Sequence, residues 1–163
     1  MAEAGPQDRL HPFLLDRLTD EEPKQKEERL ERRGQSTRRY RESVLRDMGW
    51  LLNAKSHSKD DEINEYPEVA KSVLNFGMPE LAGITISSIT PEEMERRVRN
   101  AILLYEPRIM RSSLHVSVVQ SQADGGNVVS LEIKGDIKLL PVPEPLYVRT
   151  KVDLETGHCE LQE

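Results

Sequence analysis

The sequence is poor in the features that mark secreted and membrane proteins: cysteine, long apolar runs and a signal segment. It contains one cysteine in 163 residues, so no disulfide can form within the chain, as is typical of a reducing compartment. No apolar run approaches the length of about 18 residues that a membrane-spanning helix requires. Residues 1–8 lack the basic and apolar segments of a secretory signal. We therefore expect a soluble, cytoplasmic protein that is not inserted in a membrane.

Excess positive charge is also absent. The formal net charge is −6, whereas binding to nucleic acid requires basic side chains that displace counterions from phosphates. Six arginines lie between residues 29 and 41, but interleaved glutamates largely cancel the first three, and Tyr40 is the lone aromatic residue among them. We interpret this segment as a solvated or partner-facing surface and predict no nucleic-acid partner.

The residue patterns that carry catalysis are missing as well. The four histidines are scattered without metal-ligand spacing, and no phosphate-binding glycine loop or nucleophile elbow is present. Cys159 has acidic neighbours, which raise a thiol pKa and argue against a nucleophilic role. We expect no enzyme activity, metal, cofactor or small-molecule substrate. A carboxylate pair for glycoside hydrolysis is harder to exclude in an acidic chain, so a peptidoglycan hydrolase stays an alternative.

A small apolar island lies near the N-terminus. Its apolar residues are Phe13, Leu14, Leu15 and Leu18, and residues 21–33 after it are almost entirely charged. Such a charged stretch cannot bury a face of its own, so it is a linker or a solvated helix. The island either docks on another protein or folds back onto its own domain. We assign residues 1–35 to a docking segment with a charged linker, and residues 36–163 to one domain.

Three helices are predicted in the first part of that domain. Apolar residues spaced by three and four predict a helix over residues 37–53. A second is expected from Pro67 to Gly77, where glycine would cap its C-terminus and Val69, Val73, Leu74 and Phe76 would be its apolar residues. The third begins with a capping box at Thr90 and Glu93, carries Glu92–Arg96, Glu93–Arg97 and Glu95–Arg99 pairs, and ends before Pro107.

After residue 113 the apolar period changes to two. Residues 114–118 alternate, residues 124–127 form a turn signal, and residues 129–139 and 146–154 alternate again. Gly135 falls on the apolar face and marks a bulge or a close backbone contact. The predicted fold class is therefore α+β: three or so helices packed on one face of a small antiparallel sheet of about three strands, with a charged N-terminal extension.

The sequence Glu106-Pro107-Arg108 stands at the junction of the third helix and the sheet. Proline restricts its own backbone and that of Glu106, so the two flanking charges point in defined directions. A carboxylate and a guanidinium at a rigid corner form strong hydrogen bonds, either to a partner or within the chain. The residues leave both alternatives open.

Five stretches in order resemble the baseplate wedge family of contractile phage tails, and more closely its type VI secretion members, the TssE proteins. They are residues 13–18, 43–53, 72–81, 98–102 and 106–109, and the last contains the Glu-Pro-Arg motif for which the family is known.

The resemblance implies a non-catalytic baseplate subunit of a type VI secretion system. Its partners would be other baseplate wedge subunits and contractile sheath subunits, whose polymerisation would begin on its small sheet. The implied partner-binding residues are Glu106, Pro107 and Arg108 for the baseplate core, and Phe13, Leu14, Leu15 and Leu18 for a wedge partner. A family label of lysozyme-like protein corresponds to the hydrolase alternative. A stand-alone regulatory adaptor is the third hypothesis.

Overall fold

The computed structural model of the chain describes residues 13–19, 36–57, 61–79, 90–119 and 128–162. The chain divides into two compact units, Met1–Arg46 and Asp47–Glu163, and the division falls inside a helix. Each unit is described by itself. The boundary predicted after residue 35, like the charged linker of residues 21–33, falls on a stretch outside the described residues and stays a prediction.

The first unit contains the short helix α1, Leu14–Leu18, and the beginning of helix α2, Thr37–Asn53. The predicted helix over residues 37–53 is confirmed. Tyr40 and Val44 are buried, and the hydroxyl of buried Ser43 donates a 2.7 Å hydrogen bond to the carbonyl of Tyr40. A serine inside a helix can meet the hydrogen-bonding requirement of its hydroxyl by donating to a backbone carbonyl of the preceding turn.

The helices of the second unit are the end of α2, the one-turn helix α3, Pro67–Ala70, and α4, Pro91–Tyr105. Thr90 Oγ1 accepts a 3.2 Å hydrogen bond from the backbone of Glu93, which confirms the predicted cap of α4. The Glu93 carboxylate binds Arg96 and Arg97 instead of reaching back to the cap. No helix among the described residues is long and apolar enough to cross a membrane.

The single helix predicted from Pro67 to Gly77 is wrong. Helix α3 stops at Ala70, and Val73–Asn75 forms a separate 3₁₀ turn. Ser72 explains the break, because its hydroxyl donates to the carbonyl of Val69 and accepts from the amide of Leu74, in competition with helical bonds. Val73 and Leu74, predicted on an apolar helix face, are 81% and 69% exposed.

Gly77 is not a helix cap but the point where two backbones meet. Its φ is 132°, and an added Cβ would lie 2.5 Å from the carbonyl oxygen of Ala54. The next residue, Met78, donates to that oxygen at 2.8 Å and accepts from the amide of Ser56 at 2.9 Å. The chain after α2 is thereby fixed to residues 77–78, and only glycine allows this approach.

The sheet has four antiparallel strands in the order β1, β2, β3, β4. They are β1 His115–Val119, β2 Val128–Ile137, β3 Glu144–Asp153 and β4 Cys159–Gln162. The α+β prediction is confirmed, and β4 is a strand beyond the three expected. The turn predicted at residues 124–127 lies outside the described residues.

Alternation along the strands separates the two faces of the sheet as predicted. Gly135 marks a close contact, since an added Cβ would lie 3.2 Å from Ile109 Cγ2, and pairing with β3 continues through it without a bulge. The core of this unit is formed by that sheet face, the buried side of α4 and the end of α2. Its buried residues include Met94, Val98, Ile102, Leu131, Ile133, Ile137, Leu146, Val148 and Val152.

Helix α4 runs along the outer edge of β1. The carboxylate of Glu95 accepts a 2.8 Å hydrogen bond from the amide of Val118, and Arg99 Nε donates to the carbonyl of Leu114 at 3.3 Å. The predicted Glu95–Arg99 pair therefore does not form as a solvent-facing ion pair, because each side chain binds an edge peptide group that would otherwise lack a partner.

Candidate functional site

The Glu-Pro-Arg corner begins where α4 ends. Glu106 is the C-terminal cap of α4, and its amide still donates to the carbonyl of Ile102 at 2.8 Å. The chain then turns through Pro107, and the amide of Ile109 donates to the carbonyl of Glu106 at 3.2 Å. Proline stops the helix here because it restricts the residue before it.

The end of β2 fixes the other side of the corner. The amide of Met110 donates to the carbonyl of Asp136, and the amide of Lys138 donates to the carbonyl of Arg108, each at 2.8 Å. Lys138 Nζ adds a 2.6 Å bond to the carbonyl of Pro107. The corner is thus held by backbone bonds on both sides and forms a rigid junction between helix and sheet.

Two charged side chains of the corner are buried. Glu106 is 3% exposed and Arg108 is 8% exposed. Glu106 Oε1 accepts from the amide of Arg108 at 3.1 Å and from its Nε at 2.5 Å, while Oε2 binds Nη2 of the same guanidinium. This is the two-pronged arginine–carboxylate geometry that gives strong, directional hydrogen bonds.

A second carboxylate completes the site. Arg108 Nη2 donates a 2.7 Å hydrogen bond to Oδ2 of Asp47, in the part of α2 that belongs to the same unit. Burial lowers the pKa of Arg108, but its hydrogen bonds and charge contacts with Glu106 and Asp47 outweigh that effect and raise the pKa above its ordinary value. The guanidinium therefore stays charged inside the fold.

The three predicted corner residues differ in their exposure to solvent. Glu106 and Arg108 bind each other inside the chain, as the intrachain alternative describes, whereas Pro107 is exposed. For Glu106 or Arg108 to contact a partner protein directly, the buried ion pair between them would have to open. A role for the three residues in partner binding stays a prediction.

The N-terminal island forms a short helix with one side attached. The ring of Phe13 lies 5.2 Å from that of Tyr40, centroid to centroid, and Asp16 binds Arg46 at 2.6 Å. Leu14 and Leu18 remain 70% and 74% exposed, and Leu15 is 44% exposed. Phe13 thus folds back within its unit, whereas the three leucines face solvent, and their docking on another protein stays a prediction.

The histidine and cysteine residues considered for metal binding or catalysis have the following surroundings. His57 Nδ1 lies 3.1 Å from Oδ2 of Asp61 in an exposed loop. In the part of the chain that the structure describes, no group of three or more potential ligands is placed to hold a metal ion. Cys159 is buried in β4, and burial, rather than the acidic neighbours named from the sequence, raises the pKa of its thiol to about 11.

Two contact residues were not identified from the sequence, one in the corner site and one outside it. Asp47 shares a helix side with buried Val44, Met48 and Leu51, and a charge within an apolar stripe is a signal that could have identified it. Asn53 is the other, and its carboxamide binds the backbone of Cys159 through two hydrogen bonds of 2.9 Å. Its partner is 106 residues away, and no local pattern indicates it.

The chain was compared with known proteins. A chain solved as part of "The baseplate complex from the type VI secretion system" is similar to it at 20% identity, with 71% of this chain and 96% of that chain covered and a TM-score of 0.45. A search of curated proteins gives no significant match. The family model described as "Baseplate wedge protein gp25" matches residues 38–142, which include both the corner and α4. The chain therefore belongs to the baseplate wedge protein gp25 family.

Proposed function

We propose that the chain is a structural subunit of the baseplate of a type VI secretion system. In this role it connects the baseplate core to the contractile sheath, helps to start sheath polymerisation, and works in the cytoplasm without catalysing a reaction. Family membership over residues 38–142 supports the baseplate role. The five stretches that resemble the type VI members support the choice of machine.

The observation that carries the proposal is the exposed side of α1. Leu14 and Leu18 are mostly exposed although Phe13 and Asp16 of the same segment are attached to α2. Because the attached side fixes the helix, the leucines are presented in one arrangement, which lowers the ordering cost of binding. We propose that Leu14, Leu15 and Leu18 dock on a neighbouring wedge subunit, with Phe13 as the anchor that positions them.

The corner has a second role in the proposal. Pro107 is the exposed residue of the Glu106–Arg108 turn, and the buried ion pair beneath it holds the backbone in one conformation. We propose that the corner contacts the baseplate core through this rigid exposed turn. Glu106 and Arg108 would then act by fixing its shape.

A pull-down separates the leucine surface from general effects. The tagged chain is co-expressed with the other baseplate subunits, and Leu14→Asp/Leu18→Asp is compared with Arg17→Ala, which alters an exposed residue of the same helix. We expect the double variant to lose a wedge partner while Arg17→Ala retains it, with both variants folded by circular dichroism. Equal recovery of partners by both variants would overturn the docking role of α1.

A separate measurement addresses the sheath. Sheath polymers are counted by electron microscopy in cells that carry the wild-type chain, a deletion, or the leucine variant. The proposal expects few or no sheaths without the chain. Normal sheath numbers in the deletion strain would contradict a role in starting polymerisation.

A further inference from the structure

Residues 61–75 form a folded segment that has no buried residue. They contain the 3₁₀ turn Glu62–Glu65, helix α3 and the Val73–Asn75 turn, and every residue of these elements is at least partly exposed. Helical turns of three or four residues are marginal by themselves, because a helix needs several turns or a packed face to be stable. An ordered segment that buries no side chain of its own is a candidate for contact with another chain.

Large apolar side chains lie on the outside of this segment. Val73, Leu74 and Tyr66 are mostly exposed, and Ile63 and Val69 are partly exposed. Single exposed apolar residues are ordinary on a protein surface, but these five occur together in one short segment. We call these five residues the apolar surface.

The most exposed part of the apolar surface is held in one conformation. The phenol of Tyr105 donates to the carbonyls of Ser72 and Asn75 at 3.2 and 2.7 Å. These two residues flank Val73 and Leu74 in the sequence, so the turn that carries both apolar side chains is attached to α4 at each end. Because the turn is already ordered, a partner that binds it pays a lower ordering cost.

The side chain of Asn75 fixes the same turn a second time. Its Nδ2 donates to the carbonyl of Ala70 at 2.9 Å, and its Oδ1 accepts from the amide of His57 at 2.8 Å. One carboxamide thereby joins the turn to the end of α3 and to the chain that follows α2. The exposure of Val73 and Leu74 is therefore part of a well-connected structure and not the result of a loose loop.

The backbone of the segment is used by its own turns. Six amides donate to a carbonyl three or four residues earlier, and they belong to Asn64, Tyr66, Ala70, Ser72, Asn75 and Phe76. A backbone bonded in this way offers no ladder for an added strand. A partner must therefore bind by side-chain packing, as an amphipathic helix does when its apolar stripe lies on an apolar surface.

Charge indicates which helix would fit. The segment has four exposed carboxylates, which belong to Asp61, Glu62, Glu65 and Glu68. Lys71 is the one cation among residues 61–75, so four negative charges and one positive charge leave a formal charge of −3. Basic side chains beside the apolar stripe of a partner would be complementary to this charge and would favour the correct orientation on encounter.

From these observations we propose that the apolar surface is a docking site for an amphipathic helix of another protein, whose apolar stripe is flanked by lysine or arginine. Val73 and Leu74 are its anchors, and the exposed carboxylates of the segment bind the basic flanks. The site is distinct in sequence from α1 and from the corner, so it gives the chain a third contact surface. The inference rests on the proposed function only for the identity of the partner as a baseplate subunit, since helix binding is a property of this chain.

A synthetic helix tests the site on the isolated chain. The probe, Lys-Leu-Lys-Ala-Leu-Leu-Ala-Lys-Leu-Lys-Ala-Leu-Leu-Ala, has one leucine stripe between two rows of lysine, and the control peptide has glutamate in place of each lysine. We expect the labelled probe to bind saturably in fluorescence anisotropy and to slow amide hydrogen exchange in residues 61–76. Absence of saturable binding, equal binding of both peptides, or protection that lies outside this segment would each overturn the proposal.

Two pairs of equally exposed apolar residues provide a matched comparison. Val73 and Leu74 are 81% and 69% exposed, and Leu140 and Val142, in the loop between β2 and β3, are 81% and 70% exposed. Val73→Ser/Leu74→Ser should weaken probe binding roughly tenfold or more, because the anchors of an interface carry most of its binding energy. Leu140→Ser/Val142→Ser should bind the probe as the wild-type chain does, with both variants folded by circular dichroism. Equal affinities of the two variants would contradict the site.

The carboxylates have their own test at constant net charge. Glu65→Gln/Glu68→Gln removes two exposed charges from the segment, and Glu92→Gln/Glu160→Gln removes two exposed charges elsewhere. We expect the first variant to bind the probe about threefold or more weakly than the second at low salt, because nearby opposite charges are the ones least screened. Equal weakening in the two variants would show a response to net charge alone and would overturn the proposed role of the basic flanks.

A photo-crosslinker in place of Leu74 identifies the natural occupant in the co-expressed baseplate. We expect a cross-link to a helix of another subunit that carries basic residues beside an apolar stripe. A cross-link to a second copy of this chain, or none at Leu74 while the same group at Leu14 reacts, would overturn the proposed occupant. The peptide measurements use the isolated chain, so their failure would leave the baseplate pull-down unaffected, and a failed pull-down would leave them unaffected.

Discussion

Arg108 Nη2 donates a 2.7 Å hydrogen bond to Oδ2 of Asp47, a residue 61 positions earlier in the chain. The same guanidinium binds Glu106 two residues away. One buried cation thus connects the C-terminal part of α2 to the corner after α4. Removing a single partner from such a group leaves an uncompensated charge, which is far more costly than removing the whole group.

Arg108→Ala should destabilise the chain strongly. Glu106 would remain buried without its cation, and breaking a buried pair in this way costs about 3–5 kcal/mol. Thermal unfolding measures the loss, at about 2–4 °C per kcal/mol for a chain of this size. Replacing both charges, as in Glu106→Gln/Arg108→Met, should recover part of it, since no unpaired charge is left.

The matched control for that loss is Arg149→Ala. Arg149 binds Glu132 at 2.8 Å, but its side chain is 52% exposed. An exposed pair contributes at most about 1 kcal/mol. Similar losses in Arg108→Ala and Arg149→Ala would show that burial of the corner pair does not determine its energetic role.

Gly77→Ala should destabilise the chain by more than about 1 kcal/mol, since a residue with a side chain is strained at positive φ. The added Cβ would also collide with the carbonyl of Ala54. Gly49→Ala is the natural comparison, because it lies inside α2 and, among the described residues, its Cβ would come within 4 Å of Leu161 Cδ1 alone, at 3.6 Å. That variant should be stabilised by about 0.5–1 kcal/mol through helix propensity. Urea unfolding of both variants checks the opposite signs.

Glu132 should make stability depend on pH in the acid range. Hydrogen bonds from Lys134, Arg149 and Tyr147 lower its pKa from 4.5 to about 2. Because the folded-state value is the lower one, the stabilisation is complete above pH 4.5 and is lost as the pH falls toward 2. Glu132→Gln should therefore flatten the dependence of unfolding free energy on pH between these values. Glu92→Gln, at an exposed position of α4, serves as the control and should retain the wild-type slope.

Tyr105→Phe should loosen the segment around the Val73–Asn75 turn. The phenol of Tyr105 donates to the carbonyls of Ser72 and Asn75 at 3.2 and 2.7 Å. Their loss should cost about 1–3 kcal/mol and speed amide hydrogen exchange in residues 72–76. Tyr66→Phe, at a position 61% exposed, is the control. Unchanged exchange in Tyr105→Phe would mean that the ring contact with Phe76 is sufficient by itself.

Local signals explain the parts of the fold that the sequence predicted. The cap at Thr90 and the stop at Pro107 define α4, and the period-two pattern separates the faces of β2 and β3. These features depend on neighbours a few residues away. The helix predicted from Pro67 to Gly77 failed because the side chain of Ser72 competes for backbone groups, a choice that propensity and caps do not determine.

The candidate site was predictable to a similar extent. The sequence identified the Glu106–Arg108 corner as rigid, but its burial depends on Asp47 and on backbone bonds to Asp136 and Lys138. These are tertiary contacts. The pattern of Phe13 and the leucines likewise predicted an apolar island, whereas the ring contact with Tyr40 determined which of its residues face inward.

Helix α4 covers the β1 edge of the sheet, so the two edges are not equally available for pairing with another strand. A sheet with two free edges can pair with a neighbour on each side, so copies of it can form an open-ended polymer. With Glu95 and Arg99 over one margin, extension through strand pairing has only the β3–β4 side left. If the chain starts sheath polymerisation as proposed, strands would therefore be added at one side of this sheet only.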